Sequence, residues 1–171
     1  MANRRQFLRT GLAGVALLAT AQRIAPAWAV PADGMSVLDG AAAGIVGALA
    51  PVVLEGLWPR DAAAQARALH GVVLEFDRAV SLMSPATRGE VRELFSALAF
   101  APTRVAMAGL WTPLPRASRD DIAAFLARWR HSRFDIQRSA YQALTQLIQA
   151  AWFGDPAAWG SLGYPGPPAL P

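Results

Sequence analysis

Residues 61–83 read DAAAQARALHGVVLEFDRAVSLM, and this stretch decides the fold class. Apolar residues recur along it at steps of three and four, which is the period of an α-helix with one buried face. Asp61 stands where a helix N-cap is expected. We therefore predict an amphipathic helix that begins near Asp61. Its predicted inward positions are Leu69, Val72, Val73, Phe76, Val80 and Met83.

The chain continues with the same period on the C-terminal side of this helix. Ser84 and Pro85 form an N-cap followed by a proline in the first turn, which opens a second helix. A shorter helix is predicted from Thr103 to Trp111, before Pro113 and Pro115. The inward positions predicted for the helix after Ser84 are Val91, Leu94, Phe95 and Leu98.

Two further helices are predicted in the C-terminal third. Ser118 and Asp121 have the spacing of a capping box, with Asp in place of the more usual Glu or Gln. The last long helix runs from about Ser132 to Phe153. The predicted inward positions are Ile122, Phe125, Leu126 and Trp129 in the first of these helices, and Ile136, Ala140, Leu144, Leu147, Ile148, Ala151 and Trp152 in the second.

On the N-terminal side, Gly40 to Leu54 form an uncharged and mostly apolar run of 15 residues that contains Pro51. A run of this length is too short to span a bilayer, so we predict a buried core helix kinked at the proline. Gly40, Gly44 and Gly47 would let a second helix approach closely. No stretch alternates as a strand would. The prediction is an all-α bundle of five or six helices over residues 30–153.

The charge of the chain is unevenly distributed. The 171 residues carry 16 basic and 12 acidic side chains, and every basic one is Arg. The first 29 residues hold four of these arginines and no acid, so the rest has 12 of each sign. A neutral domain lacks the excess of cations that nucleic-acid binding needs, so we exclude that function. The absence of cysteine excludes disulfides and thiolate-ligated metals.

The N-terminus combines paired arginines with an apolar segment. Arg4 and Arg5 are followed by Phe7 and Leu8, and then by small and apolar residues from Thr10 to Ala21. The apolar segment is well short of the roughly 20 residues that span a bilayer. The pattern resembles the twin-arginine signal, which directs folded proteins across the bacterial inner membrane. The twin-arginine translocase is therefore an expected partner.

A small-residue cleavage site follows at Ala27 and Ala29, which flank Trp28. Cleavage after Ala29 would remove residues 1–29 as a signal peptide and leave a periplasmic protein without a stable membrane span. The alternatives are an ordinary signal peptide, an amphipathic N-terminal helix, and a leader that is retained as a membrane anchor.

The chain offers no recognisable catalytic, cofactor-binding or metal-binding residues. Its two histidines, His70 and His131, lack a second histidine or a carboxylate at helical spacing, so structural roles are predicted for both. Asp120 and Asp121 fall in a predicted first helical turn, where capping explains them better than acid–base chemistry. We therefore predict that the protein is not an enzyme by itself.

Several aromatic residues stand near predicted loops or at the C-terminus. Trp58 and Trp111 are the internal examples, and they either seal the ends of the bundle or contact a partner. Residues 154–171 form a tail rich in Pro and Gly, in which Asp155-Pro156 is predicted to start one short helical turn and residues 164–168 to be extended or polyproline-like. The tail docks either on a partner or on the core of its own domain. The predicted partner-binding residues are Trp159, Tyr164, Pro165, Gly166 and Pro167.

The C-terminus resembles that of the gluconate 2-dehydrogenase subunit 3 family. The resemblance rests on Ala151-Trp152-Phe153, Asp155-Pro156, Trp159 and Gly163-Tyr164-Pro165-Gly166-Pro167. It implies a small accessory subunit that is needed for maturation and twin-arginine export of a large flavoprotein dehydrogenase of the glucose–methanol–choline type. FAD would be held by that partner, and a cytochrome subunit could accept its electrons. The alternative is a stand-alone periplasmic helical enzyme or ligand-binding protein.

Overall fold

Six α-helices and one 3-10 turn are formed within residues 34–155, the part of the chain that the computed structural model describes. No strand occurs in that part, so the predicted all-α class is confirmed. The leader, residues 1–29, and nearly all of the tail, residues 154–171, lie outside the described residues. The elements are α1 Gly40–Val53, α2 Ala62–Ser81, α3 Pro85–Ala99, α4 Ala101–Ala108, the 3-10 turn Leu114–Arg116, α5 Arg119–Arg130 and α6 Asp135–Gly154.

Side-chain caps start four of these helices. Asp39 accepts a hydrogen bond from the Ala42 amide at 2.8 Å, and Asp61 accepts one from the Ala64 amide at 2.7 Å. These caps satisfy backbone amides that have no partner within the helix. The N-caps predicted for α2, α3 and α5 are therefore confirmed. The capping residues are Asp39, Asp61, Ser84 and Ser118.

The capping box of α5 differs in one hydrogen bond from the usual form. The Asp121 amide donates to the Ser118 hydroxyl at 3.1 Å, as predicted. The Asp121 carboxylate then accepts from the same hydroxyl at 2.7 Å, rather than from a backbone amide. Both interactions hold Asp121 in a capping role.

Helix α1 is the central element of the bundle and contacts α2, α3, α5, α6 and the 3-10 turn. Ile45, Val46 and Leu49 are fully buried, as a mostly apolar helix in the middle of a bundle requires. Pro51 lies inside the helix, which ends soon after it at Val53. The predicted core helix is therefore confirmed.

Helix α2 approaches α1 closely at Gly47. A Cβ atom added there would lie 3.0 Å from Cδ1 of Leu69 on α2. Because Gly47 has no side chain, Leu69 can pack directly against the backbone of α1. Leu69 itself remains 37% exposed, so the prediction that it is a core position was wrong. It borders an open groove, and among the described α-helices only α1 and α2 line that groove.

Besides Leu69, one further inward position was predicted incorrectly, together with both ends of α4 and the start of α6. Helix α4 spans Ala101–Ala108 rather than Thr103–Trp111, because Gly109 adopts a left-handed conformation with φ of +64° and stops it. Helix α6 begins at Asp135 rather than near Ser132. Ile136 therefore lies in its first turn, and it is 72% exposed instead of inward.

Candidate functional site

The two histidines lie far apart in the sequence, and both are exposed to solvent. His70 is on α2, whereas His131 terminates α5, where its backbone amide donates to the Ala127 carbonyl at 3.1 Å. No hydrogen bond or ion pair of either ring is found within residues 34–155. The described residues also contain no cluster of three or more His, Asp or Glu that could hold a metal ion.

An apolar groove of about 540 Å³ separates α1 from α2. The small residues Ala43, Gly44, Gly47 and Ala48 form its α1 side, and Leu69 borders it on α2. Among the described residues that line the groove, His70 is titratable and none is acidic. The groove has the size and polarity of a site for an apolar ligand.

A buried carboxylate ties the segment before α1 to α2. Asp77 on α2 is 4% exposed and faces Ser36, Val37 and Leu38. It accepts hydrogen bonds from their three backbone amides at 2.8, 2.9 and 2.7 Å, and from the Ser36 hydroxyl at 2.9 Å. These donors replace the water that the carboxylate loses on burial. The segment also carries Met35, which lines the groove.

The pKa of Asp77 reports the strength of this tie. Burial by itself raises the pKa of the carboxyl group, but the hydrogen bonds from Leu38, Ser36 and Val37 lower it by more. The pKa therefore lies below the ordinary value for an aspartate, and the group is ionised at neutral pH. The charge is balanced by backbone dipoles and not by a cation.

A second buried charge, a guanidinium on α4, is surrounded by backbone carbonyls. Arg104 is 3% exposed, and its nitrogens donate to four backbone carbonyls at 2.8 to 3.3 Å. Two of these carbonyls end α3 and two follow Gly109. Burial lowers the pKa of Arg104, yet a guanidinium remains charged at neutral pH. The four acceptors are Leu98, Ala99, Leu110 and Trp111.

Side chains from α5 and α6 meet the C-terminal carbonyls of α4. The Trp129 indole donates to the Met107 carbonyl at 2.8 Å, and the Gln137 amide donates to the same oxygen at 3.3 Å. Arg128 donates to the Ala108 carbonyl. These carbonyls have no partner within their own helix. The end of α4, the end of α5 and the start of α6 are consequently held together.

Exposed aromatic, aliphatic and arginine side chains project from this end of the bundle. Trp111 is 82% exposed, Phe134 is 52% exposed, and Arg130 and Arg133 are exposed as well. The guanidinium carbon of Arg133 lies 4.7 Å from the centre of the Phe134 ring. We call the following residues the arginine–aromatic surface: Trp111, Arg130, Arg133, Phe134 and Ile136.

The two internal tryptophans have different roles. Trp58 is half-buried and packs on Trp152, with ring centroids 5.9 Å apart, so it seals one end of the bundle. Trp111 is exposed and packs in no described aromatic pair. Of the two roles considered for these residues, Trp58 takes the sealing one and Trp111 is available for contact.

The residues that the sequence singled out for function lie outside the described range. These are the signal motif, the cleavage site and the tail motif, and they remain predictions. In contrast, Asp77 and Arg104 were not predicted to hold backbone segments together. Their signal was present, since each interrupts a stripe or run of apolar residues. The predicted positions outside residues 34–155 are Arg4, Arg5, Phe7, Leu8, Ala27, Ala29, Trp159, Tyr164, Pro165, Gly166 and Pro167.

Within residues 34–155, no helix combines the length and the hydropathy needed to cross a membrane. Comparison with known proteins assigns no family to the chain. No protein-family model, no curated protein and no solved structure matches the chain.

Proposed function

We propose that this chain is a non-catalytic small subunit that escorts a flavin-dependent dehydrogenase through the twin-arginine pathway into the periplasm. The observation that carries the proposal is the presence of two motifs in one short chain. Arg4-Arg5, followed by Phe7-Leu8, marks the N-terminus, and Gly163-Tyr164-Pro165-Gly166-Pro167 marks the C-terminus. The first motif is typical of the export route, and the second resembles gluconate 2-dehydrogenase subunit 3.

The export route itself supports an escort function. Twin-arginine transport moves folded proteins, and it is typically used by proteins that take up a cofactor or a partner before they cross. The chain offers no recognised cofactor site of its own. In the proposed complex, FAD belongs to a large subunit without a leader, and a cytochrome subunit receives the electrons. The signal on the small subunit then serves both chains.

The charge distribution also fits this function. Once residues 1–29 are removed, the remaining chain carries 12 basic and 12 acidic side chains. Such a domain has no long-range attraction to nucleic acid, and it meets its partners through local surfaces. The arginine–aromatic surface has the residue types that are enriched at protein interfaces.

The escort function is tested by replacing Arg4 and Arg5 with lysine. The matched control is Arg9→Lys, which makes the same chemical change outside the paired arginines. The measurement is the amount of a co-expressed flavoprotein dehydrogenase subunit, chosen to lack a signal of its own, that reaches the periplasm. We expect the double variant to retain the flavoprotein in the cytoplasm and the control to export it. Full export with the double variant would contradict the proposal.

A ligand-binding function is the second candidate, and the groove between α1 and α2 favours it. Its described lining is mainly apolar, which suits an apolar molecule. A neutral fluorescent naphthylamine probe would test it. Binding that is lost in Ala48→Phe, which fills the groove, and kept in Ala123→Phe on the exposed side of α5 would support this candidate. Equal binding by both variants would reject it.

A further inference from the structure

We propose that the arginine–aromatic surface docks a protein segment in which acidic residues flank apolar ones. The inference rests on the proposed function, because the segment would belong to the large flavoprotein subunit. It names the part of the helical domain that makes the contact and the chemistry that the contact requires. The surface contains no residue of the tail, residues 154–171.

The first argument is an excess of positive charge at this end of a nearly neutral domain. Residues 128–138 contain four arginines and a single acid, Asp135. Asp135 is paired with Arg138, and Arg128 is bound to the Ala108 carbonyl. Arg130 and Arg133 have no ion pair within the described residues. Two exposed cations are therefore free to meet carboxylates.

The second argument is the exposure of large apolar side chains beside these cations. Trp111, Phe134 and Ile136 are each more than half exposed, and their segments are tied to the same end of α4. Single exposed apolar side chains are ordinary, but a group of them among uncompensated charges marks an interaction site. A partner that supplied carboxylates alone would leave these side chains in water.

The third argument is the order already present in the free surface. The Ser132 hydroxyl accepts from the Phe134 amide at 3.1 Å, and Arg138 donates to the Ser132 carbonyl at 2.6 Å. Arg104 holds the Trp111 backbone in the same way, at 3.1 Å. These bonds fix the turns that carry the exposed side chains, so less conformational entropy is lost when a partner binds.

An acidic protein segment fits these features better than an anionic bilayer. Arg133 is stacked on Phe134, which leaves the edge of its guanidinium for bidentate pairing with a carboxylate. Recruitment to a membrane surface instead draws on clusters of several cations, each contributing about 1 kcal/mol. Two free arginines are few for that purpose.

The test uses the full-length chain and a leaderless flavoprotein dehydrogenase subunit, the partner class proposed above, purified separately and mixed. We compare Arg130→Glu/Arg133→Glu with a matched control, Arg67→Glu/Arg92→Glu, which reverses two exposed arginines on α2 and α3. We expect the first variant to weaken the complex by about tenfold or more, and the control to change it by less than about twofold. Trp111→Ala/Phe134→Ala should weaken it as well, and binding of the unaltered pair should weaken as salt increases.

The possible outcomes separate this inference from the proposed function. If the unaltered chains form a complex that neither Arg130→Glu/Arg133→Glu nor Trp111→Ala/Phe134→Ala weakens, the docking surface is wrong and the escort function stands. If the unaltered chains form no complex, the proposed function fails. Circular dichroism of each variant confirms that the helices are intact. Binding of the protein to phosphatidylglycerol vesicles, lost in the double Glu variant while the flavoprotein complex persists, would assign the surface to lipid and overturn the proposal.

Discussion

The two buried charges of this domain, Asp77 and Arg104, are both stabilised by backbone groups, but these groups lie at very different distances along the sequence. Neither meets an opposite charge, and each is compensated by backbone groups. Asp77 binds amides about 40 residues earlier in the chain, whereas the carbonyls around Arg104 lie within seven residues of it. Asp77 thus joins two distant segments, and Arg104 closes one local turn. The same chemistry serves tertiary structure in one case and loop geometry in the other.

The largest effect is expected from removal of the Asp77 carboxylate. Asp77→Ala leaves three backbone amides, that of Leu38 buried, and a hydroxyl without their acceptor, so we expect the free energy of unfolding to fall by about 4 kcal/mol. Urea denaturation measures this loss. Asp120→Ala removes an exposed acid and is the control, with an expected change below about 0.5 kcal/mol. Equal losses in the two variants would contradict the role given to Asp77.

A somewhat smaller loss is expected when Arg104 is replaced. Arg104→Met keeps much of the volume but removes four donors, and we expect a loss of about 3 kcal/mol. The loss is smaller than for Asp77→Ala because methionine still fills most of the buried volume. Arg104→Lys should lose less because an ammonium still donates. Near-ultraviolet circular dichroism would also report the altered surroundings of Trp111.

The pH dependence of stability distinguishes the two charges further. The pKa of Asp77 is lowered by folding, so its stabilising contribution is complete above the unfolded-state pKa of about 3.9. That contribution is lost as the pH falls through the lower pKa of the folded state. The stability advantage of the unaltered protein over Asp77→Asn should therefore be constant near neutrality and shrink in acid. An advantage that persists unchanged at the most acidic pH at which the fold survives would contradict this account. Arg104→Met should show no such acid-dependent difference.

The smallest effects are expected from two glycines that flank the two clusters. Gly34 and Gly109 both adopt positive φ, at +80° and +64°, so alanine is strained at either position. A Cβ atom at Gly109 would also approach Nη2 of Arg128 at 3.2 Å, whereas at Gly34 it would make an ordinary contact with Leu74 at 3.7 Å. We expect Gly109→Ala to cost about 1.5 kcal/mol and Gly34→Ala about 1 kcal/mol in thermal unfolding. A larger cost at Gly34 would reverse the comparison.

Much of the helical framework could be predicted because its signals are local. Asp61, Ser84 and Ser118 cap the helices that the apolar period predicts, and each cap needs contacts only three residues away. The ends of α4 and the start of α6 were predicted incorrectly because neighbouring residues favour a different local structure there. Gly109 stops α4 early, and hydrogen bonds from Ser132 hold a turn where α6 was expected to begin.

The candidate surfaces could not be predicted in the same way. The exposure of Trp111 and Ile136 depends on which helices meet at the end of α4, and no local pattern encodes that meeting. Leu69 belongs to the apolar stripe of α2, yet it borders a groove because the bundle leaves that side uncovered. An apolar period shows that a face is suited to burial but not which neighbour covers it.

The sequence by itself determined the all-α class, the main helices and their caps, the neutral charge of the chain after residue 29, and the motifs on which the proposed function rests. Each of these depends on residue type and short-range spacing. Only the tertiary structure decided that Asp77 secures residues 36–38, that Arg104 positions Trp111, and that arginine and aromatic side chains share one end of the bundle. Asp77 and Arg104 stand out in the sequence as charges among apolar residues, but their partners are backbone amides and carbonyls, which every residue carries. The sequence therefore does not show which segments they join.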